Sequence, residues 1–205
     1  MGLAGETTEA VFPGYSAMVL AGGRSSRLGV DKASVPVGGR RLLDRVLSVL
    51  TNCFDDVVVI GCTGGSREAK RVRFVEDESP GLGPLGGLYT GLGASEHGRA
   101  LVVGCDMPFL DADVLQQLLA RDGSADATVA RTGGRPQPLL AVYDRRVRSV
   151  ARRLLDSDDR SLMGLLRSLG VQYVDIERGE WACFSINTAE DLERAEEFLR
   201  HGGGQ

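Results

Sequence analysis

The sequence predicts an α/β protein with three layers, in which helices cover both faces of one mainly parallel sheet. The first observation is that short apolar runs alternate with amphipathic stretches along the chain, a pattern that favours parallel strands joined by right-handed crossover helices. The second is the length of 205 residues, which suits a single domain with a sizeable core. The third is the composition, because 42% hydrophobic and 25% charged residues are typical of a globular chain.

The elements of this domain follow from hydrophobic periodicity, taken in chain order. Buried strands are predicted at residues 17–21, 57–60, 72–75, 100–104, 127–130, 139–143 and 171–174. Helices are predicted at residues 42–50, 85–95, 111–120, 147–155 and 162–169, and after residue 188. Asp111 is expected to cap the third helix and Thr188 the last, where Asp191 places a carboxylate at the third helical position.

Nothing in the chain supports a second domain, since it contains no internal repeat, long linker or low-complexity block. The two ends lack a periodic apolar pattern. We therefore expect residues 1–14 to form a flexible N-terminal tail, residues 15–200 the folded domain and residues 201–205 a flexible C-terminal tail.

The charge balance excludes several classes of partner. A formal net charge of -4 provides no general attraction to nucleic acid or to an anionic membrane, so we expect a small ligand and neither of these partners. The N-terminal stretch lacks the basic start and apolar core of a secretion signal. The longest apolar runs are too short to cross a bilayer, which needs about 20 residues. These observations predict a cytoplasmic protein.

The residue types available also restrict the chemistry. The four cysteines are widely spaced and the chain has only two histidines, which is a poor basis for a zinc site or for a Ser-His-Asp mechanism. We therefore expect catalysis to rest on lysine, arginine and carboxylates.

The strongest motif is the glycine-rich segment at residues 20–32, which directly follows the first predicted strand. Gly22 and Gly23 let the backbone turn sharply, so that its N–H groups can face phosphate oxygens, and Arg27 and Lys32 add positive charge. The 24 residues that begin at Gly22 include six basic and two acidic ones, a charge of +4 in an acidic protein. The segment matches neither the P-loop nor the Gly-x-Gly-x-x-Gly pattern. We interpret it as a phosphate-binding loop, with a purely structural turn as the alternative.

A second candidate is Asp106, in the segment Val-Val-Gly-Cys-Asp-Met-Pro at residues 102–108. An apolar strand that ends in a carboxylate places it at the edge of the sheet where parallel α/β folds bind ligands. Mg²⁺ binds through one or two carboxylates, water and substrate phosphates. Asp106 is therefore the candidate Mg²⁺ ligand, and the alternative is an aspartate that only begins a turn before Pro108.

Three weaker signals remain. The glycine and proline string at residues 76–88 leaves open backbone amides for a base, and Asp77 within it can accept hydrogen bonds from a ribose or guanine, although a tight connection is the alternative. The segment Arg135-Pro136-Gln137-Pro138, before a predicted strand, either offers amide and guanidinium donors to a second substrate or forms a plain loop. Asn187 either binds a ligand or Mg²⁺, or shapes the start of the last helix.

Together these motifs resemble those of the molybdenum cofactor guanylyltransferases, within the larger nucleotidyltransferase family that shares a Rossmann-like, nucleotide-binding α/β fold. The likeness runs from Leu20 to the final helix, and the opening pattern Leu-Ala-Gly-Gly-x-Ser-x-Arg-x-Gly-x-Asp-Lys is present at residues 20–32. Gly23, where many sugar-phosphate or cytidylyl relatives have alanine, favours the guanylyl branch. The ordered set of motifs is more specific than any one of them.

The resemblance implies how the nucleotide would be held. Lys32 and Arg27 would grip the triphosphate, and with the Mg²⁺ ligand Asp106 they would form the catalytic group. The residues implied to contact the nucleotide come from three segments: Leu20, Ala21, Gly22, Gly23, Lys32, Asp77 and Asp106.

The resemblance also implies where the acceptor would lie. Gln137 and Pro138, together with Arg160 and Ser161, would lie toward the pterin. Family members often carry Asn-x-Asn-Thr near the end, but here a serine replaces the first asparagine. Only Asn187 is therefore carried over as a substrate-binding residue.

The reaction that the resemblance implies is transfer of GMP from GTP to the phosphate of molybdopterin, with Mg²⁺ as cofactor and pyrophosphate as the second product. The residues fit this chemistry, because a phosphate monoester is already an anionic nucleophile and needs no strong base. Lysine, arginine and Mg²⁺ would offset its repulsion from the triphosphate. The expected partners are GTP and molybdopterin, along with molybdoenzyme-related proteins that supply or receive the cofactor.

Two other functions remain open from the sequence. One is a cytidylyltransferase or another nucleotidyltransferase that acts on a different phosphorylated acceptor. The other is a non-catalytic nucleotide-binding regulatory module, whose expected signature is loss of Lys32 or Asp106. Both residues are present, which favours an enzyme.

Overall fold

The computed structural model describes residues 12–22, 32–62, 72–177 and 181–202. The strands in this part of the chain are β1 Tyr15–Leu20, β2 Pro36–Val37, β3 Arg40–Arg41, β4 Asp56–Ile60, β5 Val72–Val75, β6 Arg99–Gly104, β7 Ala127–Thr132, β8 Arg135–Asp144 and β9 Val171–Asp175. The helices are α1 Leu42–Cys53, α2 Gly83–Ala94, α3 Ala112–Leu119, α4 Val147–Leu155, α5 Leu162–Arg167 and α6 Ala189–Arg200, and a short 3-10 turn spans Lys32–Ser34.

Seven of these strands form one sheet in the order β5-β4-β1-β6-β8-β7-β9. β1 pairs in parallel with β4 and β6, β4 with β5, and β7 with β9. β8 runs antiparallel to both of its neighbours, β6 and β7. The sheet is therefore mixed but mostly parallel, and helices flank it, which confirms the predicted fold class. β2 and β3 form a separate antiparallel hairpin.

Two apolar cores lie on opposite faces of the sheet. Successive residues of β1 enter opposite cores: Ala17 and Val19 pack with α1 and α3, whereas Met18 and Leu20 pack with α2, α4 and α5. A strand buried on both faces has a continuous apolar sequence rather than an alternating one. This burial explains why β1 could be recognised from its composition alone.

Glycines in α2 let this helix lie close to β1. A Cβ on Gly91 would come within 2.5 Å of the Met18 sulfur, and one on Gly87 within 3.3 Å of Leu20 Cδ2. Larger side chains at these positions would push the helix away from the sheet. The small residues therefore bring the N-terminal part of α2 against the end of β1, where the predicted nucleotide loop begins.

A third and smaller core joins the β2–β3 hairpin, the segment after β6 and the C-terminal part of the chain. Its buried members include Val37, Phe109 and Ile186. Trp181 stacks on Phe198 at its margin, with ring centroids 4.0 Å apart. This core connects three segments that are distant in the sequence, and each of them lies next to one predicted site residue.

The start of β8 differs from the prediction. Residues 135–138, expected to form a loop before the strand, belong to β8 itself. Gly133 and Gly134 have φ values of 54° and 76°, the two positive values of the tight turn that joins hairpin strands directly. Two prolines are tolerated in this part because it pairs only with β7, and pairing with β6 begins at Leu140.

The other differences are local. The β2–β3 hairpin is absent from the sequence prediction, because strands of two residues carry no detectable periodicity. Phe12, within the segment predicted to be a tail, donates its backbone N–H to Cys53 O at 2.8 Å, and its ring packs on Phe54. Of the helices that the structure describes, none is both long and apolar enough to span a membrane.

Candidate active site

The carboxyl ends of β4, β1 and β6 lie side by side. Leu20 is level with Ile60 on one side and with Gly104 on the other, so the residues that follow share one edge of the sheet. Backbone hydrogen bonds extend this pairing by one residue. Ala21 N donates to Ile60 O at 2.9 Å, and Cys105 N donates to Leu20 O at 3.2 Å. The glycine-rich segment and the predicted metal ligand therefore leave from the same rigid edge.

Three predicted site residues from separate motifs meet at this edge. Lys32 Nζ donates to Asp106 Oδ2 at 2.9 Å and to Asn187 Oδ1 at 2.7 Å. The Lys32 and Asp106 side chains are 18% and 15% exposed, so the ion pair is mostly shielded from water. The group combines one cation with a carboxylate and an amide oxygen, and it can bind phosphate, a divalent cation or both.

Asp106 is held by its neighbours in the fold. Its backbone oxygen accepts from Ile186 N at 2.9 Å, which ties it to the C-terminal segment. Its carboxylate lies over Gly104, and a Cβ on that glycine would overlap Asp106 Oδ1. The glycine at the end of β6 therefore provides the space that the carboxylate occupies.

Lys32 stands at the first position of the short 3-10 turn. Its backbone oxygen accepts from Val35 N at 3.2 Å, and Val35 O accepts from Leu42 N at 2.9 Å. Ala33 and Val35 are buried. The lysine backbone is thus anchored on α1, and its side chain is held by Asp106 and Asn187.

Asn187 lies immediately before α6. Its backbone N–H donates to Asp191 Oδ2 at 2.9 Å, and the N–H of Thr188 donates to the same oxygen at 2.9 Å. Thr188 Oγ1 accepts from Asp191 N at 3.1 Å. This capping box confirms the predicted start of the last helix. Asn187 contributes to the helix start through its backbone and to the site through its side chain.

The ends of β1 and β4 touch through two glycines. Gly61 has a φ of 80°, and a Cβ on it would lie 2.7 Å from Gly22 Cα. Gly22 was predicted from the sequence as part of the site, and Gly61 was not. Its signal was a glycine placed directly after a buried strand, as Gly22 is, and this arrangement indicates a close approach of two backbones.

Asp77 lies beyond the end of β5, two strands away from β1. Its Oδ1 accepts hydrogen bonds from Ser79 N and from Thr90 Oγ1, both at 2.9 Å. Thr90 is fully buried in α2 and accepts from Glu78 N at 3.0 Å. The Asp77 carboxylate therefore orders the loop that leads into α2. Among the described residues none donates to its Oδ2, which leaves that oxygen for the predicted contact with the nucleoside.

Gln137 and Pro138 lie on the part of β8 that extends past the end of β6. Because β8 is antiparallel to β6, this part lies at the same edge as Asp106. Gln137 Nε2 donates to Thr132 Oγ1 at 2.8 Å across the hairpin. Pro138 O accepts from the hydroxyl of Tyr143 at 3.0 Å. The hairpin thus holds the Gln137 amide in place through Thr132, on the side where the acceptor substrate is predicted to bind.

Two residues implied by the resemblance have local structural contacts. Ser161 Oγ accepts from Gly164 N at 2.9 Å and caps α5. Arg160 Nε donates to Leu155 O at 3.1 Å and to Ser157 O at 3.2 Å. Their guanidinium and hydroxyl groups stabilise the turn between α4 and α5, and a role toward the pterin stays a prediction.

Two of the predicted site residues fall outside the part of the chain that the structure describes. Gly23 and Arg27 belong to the stretch between residues 22 and 32. Their roles in phosphate binding stay predictions from the sequence.

The donor set indicates which metal the site can hold. In the described ranges no group of three or more His, Cys, Asp or Glu side chains is placed to hold an ion. Asp106 and Asn187 contribute two oxygens that converge on one ammonium group. Such a set fits Mg²⁺, which takes few protein oxygens and completes its shell with water and phosphate, better than a metal that needs several nitrogen or sulfur ligands.

The fold and this edge of the sheet define the class of protein, a nucleotidyltransferase of the α/β type. The family model of the MobA-like NTP transferase domain matches residues 17–176. The chain belongs to this family.

Several relatives resemble the chain over most of its length. A protein of Natronomonas pharaonis, named a probable molybdenum cofactor guanylyltransferase, is 36% identical over 200 residues, which cover 89% of this chain and 96% of that protein. A protein of the same name from Pelotomaculum thermopropionicum is 32% identical over 184 residues, 87% of this chain and 90% of the relative. The solved structure of molybdopterin-guanine dinucleotide biosynthesis protein A from Archaeoglobus fulgidus matches with a TM-score of 0.74 at 26% identity, covering 91% of this chain and 99% of that one.

Proposed function

We propose that this protein transfers GMP from GTP to the phosphate of molybdopterin, giving molybdopterin guanine dinucleotide and pyrophosphate. The observation that carries the proposal is the convergence of Lys32, Asp106 and Asn187 at the carboxyl edge of the sheet. Membership of the MobA-like family and the names of the relatives support the choice of guanine and of molybdopterin.

The reaction breaks one phosphoanhydride bond and forms another. A phosphate oxygen of the acceptor forms a bond to the α-phosphorus of GTP. The bond from that phosphorus to the oxygen that bridges the α- and β-phosphates breaks, and pyrophosphate leaves with the electron pair. The attacking oxygen is already anionic, so no side chain has to remove a proton. The task of the protein is to align the reactants and to offset their mutual repulsion.

Lys32 is suited to the second task. Its ammonium group lies at the edge where the triphosphate would enter, and Asp106 and Asn187 hold it there through two hydrogen bonds. A lysine pre-oriented in this way loses less side-chain entropy when it binds a phosphate. It would neutralise charge that grows on the leaving pyrophosphate.

Mg²⁺ would be held by Asp106, with Asn187 as a second oxygen ligand. When bound, the ion supplies charge neutralisation to the phosphates. Asp106 keeps its carboxylate over Gly104 and therefore faces the same edge as the lysine. The nucleoside would lie beside Leu20, Ala21 and Gly22, near the loop that Asp77 orders.

The acceptor would lie toward the β7–β8 hairpin. Gln137 uses its Nε2 to bond Thr132, which fixes the amide and leaves Oε1 as an acceptor for N–H groups of a pterin. The proposal also includes transient protein partners, which would supply molybdopterin to this protein or receive the dinucleotide from it.

The experiment that tests the proposal is mass spectrometry after incubation with molybdopterin, an equimolar mixture of GTP, CTP and ATP, and Mg²⁺. We expect one new dinucleotide with the mass of the guanine product, one pyrophosphate per product, and no product in EDTA. Asp106→Ala serves as the inactive control. A cytosine product would show a cytidylyltransferase, and nucleotide binding without pyrophosphate release would show a non-catalytic module; either result overturns the proposal.

A further inference from the structure

Asp191 makes one hydrogen bond more than a capping box requires. In the usual box the carboxylate at the third helical position accepts only from the N–H of the capping residue, here Thr188 at 2.9 Å. The same Asp191 oxygen also accepts from the N–H of Asn187 at 2.9 Å. The additional bond reaches the residue whose side chain contacts Lys32.

The extra bond completes the anchoring of Asn187. On its N-terminal side, Ile186 is fully buried in the third core and donates its N–H to Asp106 O at 2.9 Å. On its C-terminal side, the Asp191 carboxylate holds its backbone. Between these two attachments the side-chain oxygen of Asn187 accepts from Lys32 Nζ at 2.7 Å. The position of that oxygen therefore depends on both attachments.

The negative charge on Asp191 is stabilised by its hydrogen-bond donors and by a nearby arginine. Burial by itself would raise the pKa of this carboxyl, but the hydrogen bonds from Asn187 and Thr188 and the nearby charge of Arg194 outweigh it and lower the pKa. A carboxylate that accepts two N–H donors is ionised at neutral pH and binds them more strongly than a neutral oxygen does.

We propose that Asp191 is a positioning residue, which fixes the backbone of Asn187 so that its amide oxygen holds the Lys32 ammonium group beside Asp106. Asp191 acts through Asn187 and does not itself touch the substrates. For its activity readout the inference rests on the proposed function, but the geometry that it predicts can be measured without any substrate.

The chain offers a direct probe of this geometry. Lysine occurs only twice in the sequence, at positions 32 and 70. In protein grown with ¹⁵N-lysine, the side-chain Nζ signals are therefore two, and Lys70→Arg identifies the signal of Lys32. We expect Asp191→Ala to move the Lys32 signal toward that of a solvated lysine, and Asp191→Asn, which keeps an acceptor oxygen, to restore most of its position.

Thr188→Ala is the matched control. It removes the hydroxyl that accepts from Asp191 N and weakens the same helix start, but it leaves the carboxylate free to bind the N–H of Asn187. The Lys32 signal should stay in place in this variant. An unmoved Lys32 signal in Asp191→Ala, or an equal movement in Thr188→Ala, overturns the inference.

A double-mutant cycle gives the functional readout. Asp191→Ala should lower kcat/KM for guanylyl transfer about tenfold in the native background, a coupling typical of groups in one hydrogen-bond network. In an Asn187→Ala background the same change should lower it by less than about twofold. Equal losses in both backgrounds would show that Asp191 does not act through the Asn187 side chain, which overturns the inference. If the native protein forms no guanine product, the proposed function fails. The lysine signals still test whether Asp191 positions Asn187 and Lys32.

Discussion

Lys32 and Asp106 form an ion pair of 2.9 Å although 74 residues separate them in the chain. The lysine follows the glycine-rich segment after β1, and the aspartate follows β6, the strand beside β1. The pair therefore joins the two segments that the proposed reaction needs, one for phosphate and one for the metal. Both side chains are mostly shielded from water, so either charge is costly to leave without its partner.

Replacing either member of this pair should impair the reaction. We expect Lys32→Ala and Asp106→Ala each to lower turnover at least about tenfold, which is about 1.4 kcal/mol on the barrier. The double variant should lose less than the product of the two, because both remove one interaction. Pyrophosphate release measures the rates, and Arg146→Ala, which breaks the exposed pair with Asp144, is the control that should keep native turnover. Near-native rates in either single variant would contradict the roles assigned here.

The space above Gly104 should be as important as the carboxylate that fills it. A Cβ at this position would overlap Asp106 Oδ1, so Gly104→Ala should turn the carboxylate away from Lys32 and lower kcat about tenfold to a hundredfold. Gly98→Ala, just before the other end of β6, is the matched control, because a Cβ there meets no atom within 4 Å. Equal kcat values for the two alanine variants would show that the overlap does not matter.

The contact between Gly61 and Gly22 should contribute to stability. Gly61 and Gly14 have similar φ values, 80° and 83°, but only a Cβ on Gly61 would strike another backbone, at 2.7 Å from Gly22 Cα. Gly14→Ala should cost about 1–2 kcal/mol of unfolding free energy from its left-handed backbone alone. Gly61→Ala should cost at least about 1 kcal/mol more. Urea unfolding measures both values, and similar losses in the two variants would contradict the contact.

Asp56 should make stability depend on acid pH. Its carboxylate accepts from Ser16 Oγ at 2.5 Å, Glu96 N at 2.9 Å and Arg73 Nη2 at 2.5 Å. Burial raises its pKa, but these three donors outweigh burial and hold the pKa below its ordinary value of 3.8. The contribution of the carboxylate is therefore complete above that value and is lost as the pH falls through the lower pKa of the folded state.

Asp56→Asn tests this dependence. The native protein should be more stable than the variant by about 1–3 kcal/mol at neutral pH, and the difference should shrink below pH 3.8. Urea unfolding at a series of pH values from 7 down to the acid range measures it. A difference that stays constant over this range would mean that Asp56 is not charged in the folded protein.

Much of the local structure could be predicted because its causes are local. The helix at residues 147–155 has the predicted bounds, since its apolar residues recur at helical spacing. Asp111 caps α3 through Val114 N, and Thr188 and Asp191 form the predicted box. Each of these features depends on residues within one or two turns of each other, so the sequence contains all that is needed.

The candidate site could be predicted only as separate motifs. The motifs and their order along the chain identified Lys32, Asp106 and Asn187. They did not show that the Lys32 ammonium group would donate hydrogen bonds to both of the other residues. Gly61 was missed for the same reason, since its function is to approach Gly22 across two neighbouring strands. Contacts between distant segments depend on strand order, which leaves little trace in any one segment.

The sequence by itself determined the α/β class, most helices and strands, and the residues from which a phosphate site can be built. The tertiary structure decided that β8 enters the sheet antiparallel between β6 and β7, which brings Gln137 to the edge that carries Asp106. It also decided that the third core would bring the segments of Lys32 and Asn187 together. The physical reason is that strands pair through backbone groups common to all residues, so strand order and side-chain convergence arise only when the whole chain packs.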